Sequence, residues 1–435
     1  MKLTINNTDY TTVKNPSFAP QVAITGMELP VNEFALDIVT TDTISEGAYA
    51  ELKDDLDGLW AKYWIYRAVR LDASTVRIYA HSEIALMDGV ALDEVMYDDE
   101  PLDDVLTGIM LRQSGAPGVV TPIDYELDDS LESITVTGYC PPQTARERLQ
   151  WVLFAYGAYI KTSFNDMPQI LPIQNTGHVV PLAQTYYRPS VNVERRVTEI
   201  RVTAYTFTQG AATDILSDDT SYPFPLPWKA AVQTYTLLNP DATAMDGDNP
   251  VEVDELYLIN QFNVSDLLNR LAARYFSRES VELDVIDNAE HVPGDKVVVF
   301  ARPDLMYTGY IESASFAFGL QAKARLTITA AEQVTGAALT VKYVYDSKTI
   351  RSEQYFLPVG YPYEISTVYV DKTKGKTRRI YRPTVDEITG TLAQETTVQV
   401  PCEVALELKN NALTVLSVDE VEVETHSGNA VGVIA

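Results

Sequence analysis

Along most of this chain hydrophobic and polar positions alternate with a period of two, the spacing of a strand with one buried face. In "FALDIVTT", Phe34, Leu36 and Ile38 fall on one side and Ala35, Asp37 and Val39 on the other. "QVAITG", "KYWIYRAVRL" and "STVRIYAH" keep the same grammar, and "EGAYAELKDDLDGLW" breaks it with the look of a short helix. Residues 1–90 therefore read as one mostly β domain.

From 91 to 185 the pattern becomes α+β. A helix is expected around Leu102 to Gln113, followed by the Gly/Pro-rich loop "SGAPGVVTP". The most ordered stretch is "GYCPPQTARERLQWVLFAYGAYIKT". Thr144 stands three residues before Glu147, the spacing of a capping box, so a helix should start there. Ala145, Leu149, Val152 and Tyr156 recur at helical spacing, and Gly157 can take the left-handed conformation that stops the helix. "AYIKTSF" and "QILPIQ" then read as a hairpin around Asn165-Asp166-Met167-Pro168. Cys140 lies at the strand-to-helix bend with no histidine or second cysteine near it in sequence, which predicts a packed structural thiol.

Strands resume over 186–336. "VTEIRVTAYTF" alternates, with Ile200, Val202 and Ala204 on one side. The polar, proline-rich run from "SDDTSYPFPLPWKA" to "NPDATAMDGDNPVEVDE" reads as a surface excursion. Ser265 is the expected N-cap of a further helix with Leu267, Leu268, Leu271, Ala272 and Tyr275 on one face. "KVVVFA", "YTGYIESASFAFG" and "AKARLTIT" follow as a β-meander, an arrangement that needs closure to protect its edges. Residues 337–435 are again nearly all strand. Within them "DKTKGKTRR" gathers Lys372, Lys374, Lys376, Arg378 and Arg379 around Gly375, a basic hairpin tip suited to an acidic neighbour or simply to solvent.

Length alone implies several domains, because 435 residues exceed one ordinary core. Two cysteines far apart in sequence suit a reducing compartment. "MKLTINNTDYTT" lacks the apolar core of a signal peptide, and no apolar run has the length of a membrane span, so membrane insertion by this chain is not expected. The net charge of -28 argues against nucleic acid as a gripped ligand, since phosphate binding needs a basic footprint. It leaves room for DNA that must slide past without sticking. A solvated acidic face is the plain reading of "ELKDDLDG" and "LDEVMYDDEPLDD", and a charged lumen is the alternative.

His81, His178, His291 and His426 are isolated from one another and from both cysteines, and no metal-ligand, phosphate-loop or nucleophile-elbow spacing occurs. "DATAMDGDNPVE" has the density of a calcium loop but the wrong residues at Thr243, Met245 and Asp246. No metal, cofactor or catalytic residue is expected, although paired carboxylates of a glycosidase stay open on sequence grounds.

"ESITVTGYCPPQTARERLQWVLFAYGAYIKT" and "HVPGDKVVVFARPDLMYTGYIESASFAFGLQAKARLTITA" together resemble the tail hub, or baseplate hub, proteins of bacteriophages and contractile injection machines. The likeness spans roughly Leu127 to Ala331. It implies a mainly β chain with two tube-type β-barrel domains (1–90 and 186–336), an α+β bracing domain between them (91–185) and a C-terminal β adaptor (337–435). It further implies a homotrimer whose barrels make a pseudo-six-fold ring at the virion tail tip, assembled in the host cytoplasm. The implied partners are a tail tube or distal tail protein, a tape-measure protein and a central spike or fibre, with DNA in non-specific passage. On that reading Asp37, Asp54, Asp55, Asp57, Asp284 and Glu312 are candidate lumen acids, and the basic hairpin is a docking element. A receptor-binding or adhesin-like tail protein and a tail-associated cell-wall hydrolase are the competing functions.

Overall fold

The computed structural model describes, with side chains, residues 1–24, 28–54, 58–113, 119–173, 177–180, 185, 189–209, 224, 228–286, 291–302, 305–317 and 323–334. Beyond these it describes the backbone of strands within 336–422. The chain divides into two compact units, one of Met1–Asn175, Gln184–Asp295 and Gly309–Ala331, the other of Thr176–Ala183, Lys296–Thr308 and Glu332–Ala435. The architecture is mainly β, as the alternation predicts.

In the first unit, β1 (Lys2–Ile5), β2 (Thr8–Tyr10), β3 (Val13–Phe18), β4 (Glu33–Val39), β5 (Tyr49–Lys53), β6 (Leu59–Arg70) and β7 (Thr75–His81) form a sheet in the order β2-β1-β5-β6-β7-β4-β3. Period-two burial is plain in β1, β5 and β7, where Leu3 and Ile5, Ala50 and Leu52, and Val76 and Ile78 are buried. Among the described residues of the span 46–60, expected as a helix, strand forms instead. Ala50 and Leu52 are two apart and buried on one face of β5, which pairs with β1 on one side and β6 on the other, and beyond it Asp54 Oδ1 accepts the Gly58 N–H at 2.7 Å.

β3 meets the Leu305–Ala317 strand through Phe18 and Phe316, and the sheet continues through Lys323–Val334 and Glu279–Val285 to Ser190–Val193. Phe18, Trp60, Phe164 and Phe316 pack there with ring centroids 4.9–6.3 Å apart. Such aromatic pairs add to the burial of their area. The two sheet regions are thereby fused edge to edge.

A separate core sits around α2 (Ala145–Tyr156), joined by α1 (Leu102–Ile109) and α3 (Val264–Tyr275). Its members include Leu106, Val136, Cys140, Leu149, Val152, Ile200, Val202, Leu258 and Leu267. Residues 199–275, far downstream, thus share the core of α2. The excursion expected after Phe207 is partly ordered. Trp228–Leu238 pairs along the whole of Glu199–Gln209, and Pro250–Val253 adds in parallel on the other side. Most Trp228–Leu238 side chains are exposed, so this strand has no hydrophobic alternation to betray it. α3 begins at Val264 after Asn263, earlier than the expected Ser265 cap, because Asn263 Oδ1 accepts the Asn260 N–H at 2.8 Å and the Asn263 amide donates to the Leu258 carbonyl at 2.9 Å.

In the second unit His178–Val179 lies parallel to Lys296–Arg302, and Val298, Phe300 and Met306 pack with Val179 and Val334. Gly336–Tyr345 pairs with Lys348–Pro358 and with Thr396–Pro401. Val368–Lys372 and Gly375–Arg379 form the expected hairpin, with Lys372 opposite Gly375.

Candidate functional site

The stretch richest in sequence signals is built as scaffold. Thr144 Oγ1 accepts the Glu147 N–H at 3.2 Å, and Glu147 Oε2 accepts the Thr144 N–H at 2.8 Å. Both orphan donors of the helix start are satisfied. At the other end Gly157 adopts φ 75°, and Arg270 of α3 donates to the carbonyls of Phe154 and Ala155, each at 3.0 Å. A cation on the last carbonyls of a helix meets the negative end of its dipole. Burial pulls the Arg270 guanidinium down to about 10. Arg148, 5% exposed, donates to the Asp93 and Pro141 carbonyls and so pins the bend that carries Cys140. Cys140 is fully buried, and burial pushes its thiol up to about 12 despite Arg148 nearby. A thiol in that state supplies no nucleophile.

The candidate lumen acids fall in different surroundings. Asp37 is 4% exposed, bound by Arg77 Nε at 2.6 Å, Arg77 Nη2 at 2.9 Å and Asn15 Nδ2 at 2.7 Å. The Arg77 hydrogen bonds hold its carboxyl below the usual range. Strand alternation placed it on the polar face correctly, but its charge is spent on Arg77. Asp284 is likewise held down by Arg325 at 2.8 Å and Lys323 at 3.1 Å. Asp54 serves its own turn, and Asp55 and Asp57 lie outside the described residues. Glu312 lines a cavity of about 220 Å³ with Ile24, Ile173, Arg274 and Tyr310, where burial raises its carboxyl pKa and Arg274 opposes the rise. Among the described residues, Asp37, Asp54, Asp284 and Glu312 sit in separate surroundings.

Of the basic hairpin, the backbone at Lys372, Lys376, Arg378 and Arg379 is described, and Lys374 lies outside the described residues. The calcium-like turn has its own cations. Arg195 donates to the carbonyls of Asp246 and Asp248, at 3.3 and 3.1 Å, and Arg196 donates to that of Asp241. Among the described residues no group of three or more His, Cys, Asp or Glu could hold a metal ion.

Two features carry no motif and escaped the sequence reading. One is the knot of Glu83, Arg112 and Tyr49, in which Arg112 Nη1 sits 2.5 Å from Glu83 and its guanidinium lies 5.4 Å from the Tyr49 and Trp64 ring centres. The other is the outward face of β4, β6 and β7, where Tyr66 stacks on His81 with centroids 4.9 Å apart and Arg67 lies 5.6 Å over Tyr79. A signal for the second existed, since Arg77, Tyr79 and His81 are two apart in "STVRIYAH".

No protein family matches the chain by sequence, and no curated protein does. Solved structures do match. The tail protein from Neisseria meningitidis is similar to 75% of this chain over 95% of its own length, with 11% identity and a TM-score of 0.51. A prophage tail protein from Listeria monocytogenes has 13% identity and a TM-score of 0.48, over 76% of this chain and 94% of that one. The prophage MuSo2 tail protein from Shewanella oneidensis has 11% identity and a TM-score of 0.48, over 75% and 96%. At such identity the likeness to the Neisseria tail protein is one of fold.

Proposed function

We propose that this chain is a structural hub of a bacteriophage-type tail. The observation that carries the reading is the fold shared with the Neisseria tail protein across nearly all of that protein's length. The fused pair of sheet regions joined at Phe18 and Phe316 supports it, because two strand-rich regions per chain are what a three-copy ring needs to present six sheets to a six-fold tube. Three copies form the ring at the tail tip, between a tube or distal tail protein above and a spike or fibre below, with a tape-measure protein as a transient neighbour. The role is structural rather than catalytic: the motif-rich segment is spent on caps and packing.

DNA passes such a ring without being gripped, as suits a chain of net charge -28. The paired states of Asp37 and Asp284 modify that part of the proposal. Their charges are offset by arginine, so repulsion of phosphates rests on the net negative charge of the chain rather than on these two carboxylates. The basic hairpin contacts an acidic neighbour in the assembled tail. Quantitative mass spectrometry of purified particles tests the role: a fixed three copies per particle is expected, and absence from particles, or six copies, overturns it.

A further inference from the structure

The outward face of β3, β4, β6 and β7 brings basic and aromatic side chains together in an acidic chain. Cross-strand registers set Lys14 beside Asp37, Asp37 beside Arg77, and Tyr79 beside Arg67, while His81 lies between Glu33 and Trp64. Asp37 is consumed by Arg77, whereas Lys14 and Arg67 are exposed and make no ion pair among the described residues. Beside them Tyr66, 39% exposed, stacks on His81 and tilts against Tyr79 at 6.2 Å. Tyrosine and arginine on a rigid surface are the residues that carry binding energy at protein interfaces, because they bring large area at low entropic cost.

The complement is on the same chain. Between Ala91 and Ala145 the only basic residue is Arg112, and it is turned onto Glu83 and Tyr49. The strand Val95–Pro101 and the first turn of α1 therefore show Asp98, Asp99, Glu100, Asp103 and Asp104 to solvent with no cation among them. Asp103 is partly engaged by the Tyr125 hydroxyl, and none of the five is ion-paired among the described residues.

We propose that the Lys14/Tyr66/Arg67/Tyr79 face of one copy docks on the acidic Asp98–Asp104 edge of a second copy. The two surfaces differ, so the contact is heterologous, and a heterologous contact closes into a ring when its rotation allows. The proposal rests on the ring reading above only for the number of copies. A protein partner fits better than nucleic acid, because Arg77 is already bidentate on a carboxylate and the net charge of -28 repels a polyanion at long range.

The test uses the full purified chain in sedimentation at low and high salt. Self-association that weakens with salt is expected. Lys14→Glu with Arg67→Glu, and separately Asp98→Lys with Glu100→Lys, should each weaken it by at least about tenfold, since like charges at an interface cost several kcal/mol. Mixing the two variants should restore pairing of unlike variants, because the reversed charges match again, without closing a three-copy ring, around which two variants cannot alternate; this readout survives even if neither variant associates alone. A chain that stays monomeric at low salt, a mixture that fails to associate, or binding of a short DNA duplex lost with Arg67→Glu while self-association is kept, overturns the proposal. Loss of tail incorporation with intact salt-dependent self-association would instead count against the tail role alone.

Discussion

Only the thiolate of a cysteine attacks an electrophile, and Cys140 is denied that form by the apolar core around α2, which pushes its thiol up to about 12. Cys140→Ala should therefore cost only about 1–2 kcal/mol, the loss of one small packed group, and leave assembly intact; thermal unfolding and particle yield check this, and loss of a hydrolytic activity in the folded variant would contradict it. Asp37 carries the pH dependence at this scale. Its folded pKa lies below the unfolded value of about 3.9, so the stability from its contact with Arg77 is present above that value and lost as pH falls through the folded pKa. Replacing Arg77 with Met should lower the unfolding temperature at neutral pH and flatten its fall between about pH 5 and pH 2. An unchanged acid limb would show that the pair contributes nothing measurable. The sequence placed both residues: Cys140 by its bend, Asp37 by its strand face. It could not show Arg77, because a cross-strand partner forty positions away is fixed by register and not by spacing.

At the scale of elements, local chemistry was legible where it is self-contained. The α2 start and stop follow from Thr144, Glu147 and Gly157, all within one helix length, and each behaves as its side-chain or backbone chemistry requires. Elements defined by distant neighbours were not. β5 was hidden because the acids that follow it in sequence suggested a helix surface, and Trp228–Leu238 because its exposed strand has no apolar side. The basic hairpin belongs with the legible group, since Val368–Lys372 and Gly375–Arg379 pair with Lys372 opposite Gly375. Reversing Lys374, Lys376, Arg378 and Arg379 to Glu should leave the isolated chain folded, because exposed charges add at most about 1 kcal/mol each. It should weaken incorporation into tails, more at low salt than at high salt. Normal incorporation at every salt concentration would make the patch a solvated hairpin.

For the molecule as a whole, the sequence carried the fold class and the likeness to tail hubs, while the way residues 199–275 fold back onto α2 needed three dimensions. The reason is physical. A core assembled from segments far apart in sequence depends on volumes that meet only after folding. The acidic candidate sites were legible as charge and illegible as function, because sequence spacing does not tell a paired carboxylate from a free one. The central claim, a trimeric ring built from two sheet regions per chain, is tested most directly by electron cryo-microscopy of the intact particle. The account predicts three copies of this chain at the tail tip, their six sheet regions arranged around the channel. A single copy, a six-fold ring of whole chains, or a place on a peripheral fibre would contradict it.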